Sequence, residues 1–155
     1  VNQQFFDKLT ARLTELTVDL RFYHKPTGTT IAPQIIGVQL EDQIGEVKEA
    51  DEYPFVRWVV YQGSFAWRSR APFSVRIDAG IYTAGGVADG NNDIMMLTMA
   101  LGRLAETPWF APYKLASGIP FSVGIPDGQN RGAQAHPYYH SQFYLEFIAA
   151  TGHGG

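Results

Sequence analysis

FSVRIDAGIYTAGGVADGNNDIMMLTMALGRL, residues Phe73 to Leu104, passes from an alternation of two to a spacing of three and four through a glycine-rich turn, and this change of period sets the fold. Phe73, Val75, Ile77, Ala79 and Ile81 alternate with Ser74, Arg76, Asp78, Gly80 and Tyr82, the pattern of a strand with one dry and one wet face. Burying Phe73, Val75, Ile77 and Ile81 is worth about 6–12 kcal/mol before entropy, an upper limit because the unfolded chain already hides part of that surface. A helix over Ile94 to Ala105 is the nearest cover, with Ile94, Leu97, Leu101 and Leu104 at helical spacing. Its other flank is also apolar: Met95, Met96, Met99 and Ala100 leave only Thr98 and Arg103 as clearly solvent-seeking. One sheet leaves part of such a helix uncovered, so a second partner is expected, another subunit being the simplest.

Upstream, Phe5, Phe6, Leu9, Leu13, Leu16 and Leu20 recur every three or four residues, with Asp7, Lys8, Arg12 and Glu15 between them, so the chain opens with an amphipathic helix that Asn2 is placed to cap. Lys25-Pro-Thr-Gly28 is a turn signal that ends it. Ile36, Val38 and Leu40 predict a short strand. Phe55 to Tyr61 carries bulky residues on both faces and predicts a strand covered on both sides. Gly63 and Ser64 allow a bend, after which Phe65 to Arg68 continue the strand past a bulge, and Pro72 separates this strand from the central one, which favours an antiparallel pair. Pro108 and Pro112 stop further helix. Tyr113 to Ala116 and Phe121 to Ile125 are short strand candidates, Pro126 to Pro137 reads as a long loop, and Phe143, Leu145 and Phe147 alternate with Tyr144, Glu146 and Ile148 in a last strand. The expectation is an α+β fold: one domain over residues 1–150, mainly antiparallel sheet packed by an N-terminal and a central helix, and a flexible C-terminal tail over 151–155.

The totals narrow the function classes. The 155 residues suit one domain, and 45 % hydrophobic with 17 % charged residues place the chain among globular proteins. No apolar run approaches the roughly 20 residues that span a bilayer, and the first twenty residues lack a basic region followed by an apolar core, so neither membrane insertion nor secretion is expected. The absence of cysteine removes disulfides, thiolate metal sites and cysteine nucleophiles together. A formal charge of -3 opposes a surface built to grip nucleic acid phosphates.

Charge is unevenly placed. Glu41, Asp42, Glu46, Glu49, Asp51 and Glu52 are offset only by Lys48, whereas Arg57, Arg68, Arg70 and Arg76 follow. The acidic run is a solvated loop on the simplest reading; the sharper one pairs it with the arginines across a subunit boundary, as a head-to-tail ring requires, although both sets can equally pair within one chain. Among chemical motifs, Gly85, Gly86 and Gly90 suggest a phosphate loop, but Asp89 and Asp93 stand where phosphate charge belongs and no lysine follows. Asp89, Asn91 and Asp93 match the first calcium-loop positions, after which Ile94 and Ala100 break the match. His136 and His140 have a metal-compatible spacing only on a helix, which Pro137 opposes; Tyr138, Tyr139 and His140 read better as an aromatic anchor. No catalytic signature appears, and no catalytic, cofactor or metal residue is assigned.

The run Asp78-Ala-Gly-Ile-Tyr-Thr-Ala-Gly-Gly-Val-Ala-Asp-Gly90, the helix ending Leu101-Gly-Arg-Leu104, and His136-Pro-Tyr-Tyr-His140 followed by Phe143 to Ala150 resemble small neck and tail proteins of tailed bacteriophages, most closely the tail terminators, or tail completion proteins. The resemblance covers about half the chain. It implies an α+β virion protein made in the bacterial cytoplasm that forms a hexameric ring on the tail tube, stops tube growth and docks to the head connector, with no cofactor and no catalytic residues. The partners implied are copies of the chain, the tube protein and the connector, with DNA passing through the ring without specific binding. On this reading Met95, Met99, Arg57, Arg76 and Glu49 are candidate subunit contacts, and Gly128, Asn130, Arg131, His136 and Tyr138 candidate contacts to the axial partners. A head-to-tail adaptor of the same neck is the alternative, and a small metal-dependent hydrolase using His136 and His140 a more distant one.

Overall fold

A computed structural model of the chain describes residues 3–38, 52–63, 73–106, 113–115, 119–124 and 136–149. Glu49, Gly128, Asn130, Arg131, the acidic run before Glu52, Phe65 to Arg68, Arg70, Asn2 and the segment 151–155 lie outside the described residues. Helix α1 spans Gln3–Thr17, followed by β1 (Phe22–His24), β2 (Thr29–Ile31), β3 (Gln34–Val38), β4 (Phe55–Gly63) and β5 (Phe73–Tyr82). Helix α2 (Val87–Gly102) continues into a 3-10 turn at Arg103–Glu106, and β6 (Tyr113–Leu115), β7 (Phe121–Val123) and β8 (Tyr138–Ala149) follow. The fold is α+β: two helices pack on one face of a mostly antiparallel sheet, and β1 and β2 form a separate hairpin.

Five strands of the sheet lie in the order β3-β4-β5-β8-β6, and β7 pairs with β8 beside β6. The central strand is the one whose alternation was clearest. β5 is antiparallel to β4 on one side and to β8 on the other, with Ile77 opposite both Trp58 and Phe143. Phe73, Val75, Ile77, Ala79 and Ile81 face the helices and join Phe5, Leu9 and Leu13 of α1, Ile94, Leu97 and Leu101 of α2, and Phe143, Leu145 and Phe147 of β8 in one core. Phe5 sits edge-on to Phe6, Phe73 and Phe147, and Phe6 stacks on the Trp58 indole with ring centroids 4.6 Å apart.

Several expectations need correction. The second face of β5 is not wet: Ser74, Asp78 and Gly80 are buried, so the sheet is covered on both sides at its centre. The sheet is mainly antiparallel as expected, and its parallel pair is β3 with β4. Lys25 to Gly28 does not end α1, which stops at Thr17 with β1 in between; it closes the hairpin, with the Gly28 N–H donating to His24 O at 2.9 Å and Gly28 at φ 67°, where a β-carbon is disfavoured. The irregularity in β4 falls between Val60 and Gln62. Finally, α2 begins at Val87, seven residues before the apolar spacing starts, so Gly90, Asn91, Asn92 and Asp93 belong to the helix and not to a turn.

Candidate interaction surface

The early start of α2 has a local cause. The Gly86 N–H donates to Asp89 Oδ2 at 3.0 Å, supplying an acceptor to the first turn, and an acid there opposes the positive end of the helix dipole. Gly90 is inside the helix because Tyr139 of β8 occupies the space a side chain would need: a Cβ at residue 90 would lie 2.1 Å from Tyr139 Cε1. The Tyr139 hydroxyl lies 2.7 Å from His136 Nδ1 and 3.4 Å from Val87 O, so the ring is held at its hydroxyl end. One turn further, the Thr98 hydroxyl donates to Ile94 O (2.7 Å) and lies 3.0 Å from Ser141 Oγ, which seats the helix over β8. With Ile94, Leu97 and Leu101 also facing the sheet, the opposite side of α2 is left to solvent.

That side carries the methionines. The chain has three, and all are on this helix with large exposures: Met95 40 %, Met96 51 % and Met99 68 %. Val87, at the start of the same helix, is also exposed. Methionine is flexible and polarisable, which suits it to surfaces that adapt to another protein. The three lie outside the core that excludes water from Leu97 and Leu101, together on one side of the helix, and grouped exposed apolar side chains are the kind of surface that marks interaction sites. Phe121 on β7 is a further exposed apolar side chain, its ring tilted against Phe143. Neither Met96 nor Phe121 stood among the candidate contacts. Met96 was legible in the apolar flank of α2, and Phe121 in an aromatic ring on a strand too short to bury it.

The face of the sheet away from the helices holds a buried polar cluster. Arg57 and Asp78 are directly opposed across β4 and β5, and Arg57 Nη2 donates to Asp78 Oδ2 at 3.0 Å. Arg76 Nη2 donates to the same Oδ2 at 3.0 Å, and its Nε lies 3.0 Å from Oδ1 as an ion pair without hydrogen-bond geometry. Arg57 and Asp78 are 3 % and 4 % exposed, so Arg57 is an internal residue of the sheet and not a surface one, and Arg76 is turned to the same carboxylate. The physical reason is register: a buried arginine needs an acid, and the cross-strand position supplies one within its own chain. On β8, Gln142 lies opposite Asp78, and the Tyr144 hydroxyl donates to Gln142 Oε1 at 2.7 Å.

Tyr53 and His140 complete this face. The phenol of Tyr53 lies 2.6 Å from His140 Nε2, and its ring packs against Phe55, Tyr138 and His140. Burial holds the Tyr53 hydroxyl protonated, pushing its pKa upward, with Tyr138 and Glu52 adding to the effect. Burial lowers His140 to about 4, opposed by Asp78 and assisted by Arg57, so the imidazole is neutral and its Nε2 accepts a hydrogen bond from the Tyr53 hydroxyl. Gly80 makes room for the pile: a Cβ there would come within 2.5 Å of the Phe55 ring. Tyr138 continues a row of rings through Tyr82 to Tyr23, with the Lys25 ammonium 5.4 Å from the Tyr82 centroid.

The two histidines do not converge. His136 bonds to Tyr139, on the helix side, whereas His140 bonds to Tyr53 on the other. Among the described residues no three metal-ligating side chains cluster. Asp89, Asn91 and Asp93 lie on α2, where side chains two apart point to different sides, so they do not form a cation cage. Burial, then the Asp89 charge, raises the Asp93 pKa. His136 is exposed and Tyr138 half-buried where β8 begins, which leaves both accessible at that end of the sheet. Comparison with known protein families finds no family model that matches the chain, and comparison with curated proteins finds no matching sequence.

Proposed function

We propose that this chain is a structural protein of the tailed-phage neck, a tail terminator whose activity is binding: copies join in a ring, hexameric as the resemblance implies, cap the tail tube, stop its growth and offer a docking face to the head connector. The observation that carries the reading is the placement of every methionine on the outer side of α2, an apolar surface for which the domain itself has no use. Met95, Met96 and Met99 are assigned to packing between copies. His136 and Tyr138 are assigned to the axial partners, because they stand at the end of the sheet where the described part of β8 starts. Arg57 and Arg76 are not assigned to these contacts, because Asp78 engages both within the chain. The protein acts in the virion after synthesis in the host cytoplasm, with DNA passing through the ring.

The test is electron microscopy of particles produced without this chain. Tubes of uncontrolled, excessive length are the expected result. Finished tails of normal length beside full heads would move the chain to the head-to-tail adaptor, and complete infectious particles would remove it from the neck altogether.

A further inference from the structure

We infer that in the assembled ring the β3 edge of one copy pairs with the β7 edge of the next, so that a single sheet runs from subunit to subunit; this rests on the ring reading above. Among the described residues no strand pairs with the outer side of β3 or of β7, which lie at opposite edges of the sheet. Edge strands ordinarily deter pairing with charge, internal proline or a bulge. β3 (QIIGV) and β7 (FSV) contain neither a charge nor a proline.

The registers show that the two edges match. One rung of the sheet runs Ile35, Val56, Ala79, Ser141, Val123, and the next but one runs Gly37, Trp58, Ile77, Phe143, Phe121. β3 and β7 therefore end the same rungs, at the same height. A neighbouring copy can therefore bring its β7 to β3 residue for residue, a heterologous contact that leaves each copy one further edge for the next. Direction matches as well. β3 is parallel to β4, and three antiparallel steps separate β4 from β7, so in a neighbour whose strands run the same way β7 is antiparallel to β3, the more stable ladder.

The hydrogen-bonding groups are also in phase. The Gln34 N–H donates inward to Pro54 O at 3.0 Å, so Ile36 also turns inward while Ile35 and Gly37 offer their backbone groups outward. At the other edge, the Gly124 N–H donates to His140 O at 3.0 Å and Pro120 O accepts from Tyr144 at 3.1 Å, so Ser122 turns inward while Phe121 and Val123 face outward. Level docking places Ile35 opposite Val123 and Gly37 opposite Phe121 as hydrogen-bonded pairs, and Ile36 opposite Ser122 as the close, non-bonded pair. The exposed Phe121 ring then lies over the edge position that has no side chain, beside the Trp58 indole that a Cβ at Gly37 would meet at 2.4 Å.

A chain without cysteine permits a direct test. In an antiparallel non-bonded pair the Cα atoms are about 4.5 Å apart, within disulfide reach. The double variant Ile36→Cys/Ser122→Cys, oxidised mildly at concentrations or on tail tubes where light scattering shows assembly, is expected to give a ladder of disulfide-linked dimers and higher species. Ile36→Cys and Ser122→Cys alone are expected to stay uncrosslinked. Assembly with both thiols reactive but no ladder would overturn the edge pairing and leave the ring reading standing, whereas a chain that is monomeric both free and on tubes would overturn both. Ladders as strong from either single variant would also overturn it, since they would mean like edges meeting. As a second measurement, Val123→Pro removes an outward N–H and leaves the inward bonds of β7 in place; the higher-mass species is expected to disappear while the monomer melts cooperatively, and unchanged assembly would count against the proposal.

Discussion

Replacing Gly90 by alanine separates two effects that pull in opposite directions. In an exposed helix interior the change is worth about 1 kcal/mol of added stability, because glycine gives up more backbone freedom on folding than alanine. Here the new methyl group would lie 2.1 Å from Tyr139 Cε1 and 2.3 Å from Cζ, more than an ångström inside ordinary contact. The ring cannot swing away at no cost: Tyr139 is 1 % exposed, and its hydroxyl is tied to His136 at 2.7 Å. Overpacking of this kind costs about 1–3 kcal/mol, and displacing the hydroxyl adds about 1 more. The repulsion wins, and Gly90→Ala is expected to destabilise the fold by about 1–3 kcal/mol net. Urea unfolding followed by tryptophan fluorescence and circular dichroism reads this as a lower midpoint at unchanged slope. In a Tyr139→Leu background the same substitution is expected to cost at least about 1 kcal/mol less, because the atoms that clash are gone. A Gly90→Ala variant more stable than the parent would refute the packing of α2 on β8 through this glycine, and with it the direction in which the methionines point.

Other consequences can be checked in the same way. His140 titrates near 6.5 when unfolded and at about 4 when folded, so below pH 6.5 the unfolded state binds the extra proton; stability is full above that pH and falls by about 3 kcal/mol as pH drops from 6.5 to 4. Urea midpoints across that window are expected to flatten in His140→Gln, and an equally steep profile in the variant would place the titration elsewhere. Asp78→Asn leaves Arg57 buried with its cross-strand acid removed and is expected to cost about 3 kcal/mol or more, read in the same unfolding assay. Tyr53→Phe removes the donor to a buried imidazole, for an expected loss of about 1–3 kcal/mol. Met99→Lys, at a position 68 % exposed, is expected to leave the monomer's stability within about 0.5 kcal/mol and to reduce the mass of the assembly measured by light scattering; a variant that assembles as the parent does would take Met99 out of the contact.

Periodicity made the main elements legible. The heptad-like spacing from Phe5 to Leu16, the alternation from Phe73 to Ile81 and that from Phe143 to Phe147 each report a face set by burial, and each element stands where its pattern put it. The start of α2 was hidden because Gly90, Asn91 and Asn92 are poor helix residues taken alone. The Asp89 acceptor starts the helix, and the reason for a glycine within it is Tyr139, nearly fifty residues away, filling the notch the glycine leaves. The polarity of Asp78 suggested water, whereas its carboxylate is neutralised by arginines that pairing brings to it; alternation records polarity, not exposure. The parallel pairing of β3 with β4 left no local trace, since a strand of one glutamine and four apolar or small residues carries nothing that fixes the direction of its partner. Of the candidate surface, the methionine flank was visible as an excess of apolar residues on α2. The edge formed by β7 was not, because openness is a property of a sheet and is not carried by any one strand.

The most direct measurement is mass spectrometry of methionine oxidation, since all three methionines lie on the outer side of α2 and no other part of the chain contributes to the signal. Free chain treated briefly with hydrogen peroxide is expected to take up oxygen at Met95, Met96 and Met99, fastest at Met99, and assembled chain to be protected, most of all at Met95 and Met99. Equal uptake at all three positions in the free and assembled states would contradict a role for this helix in joining copies.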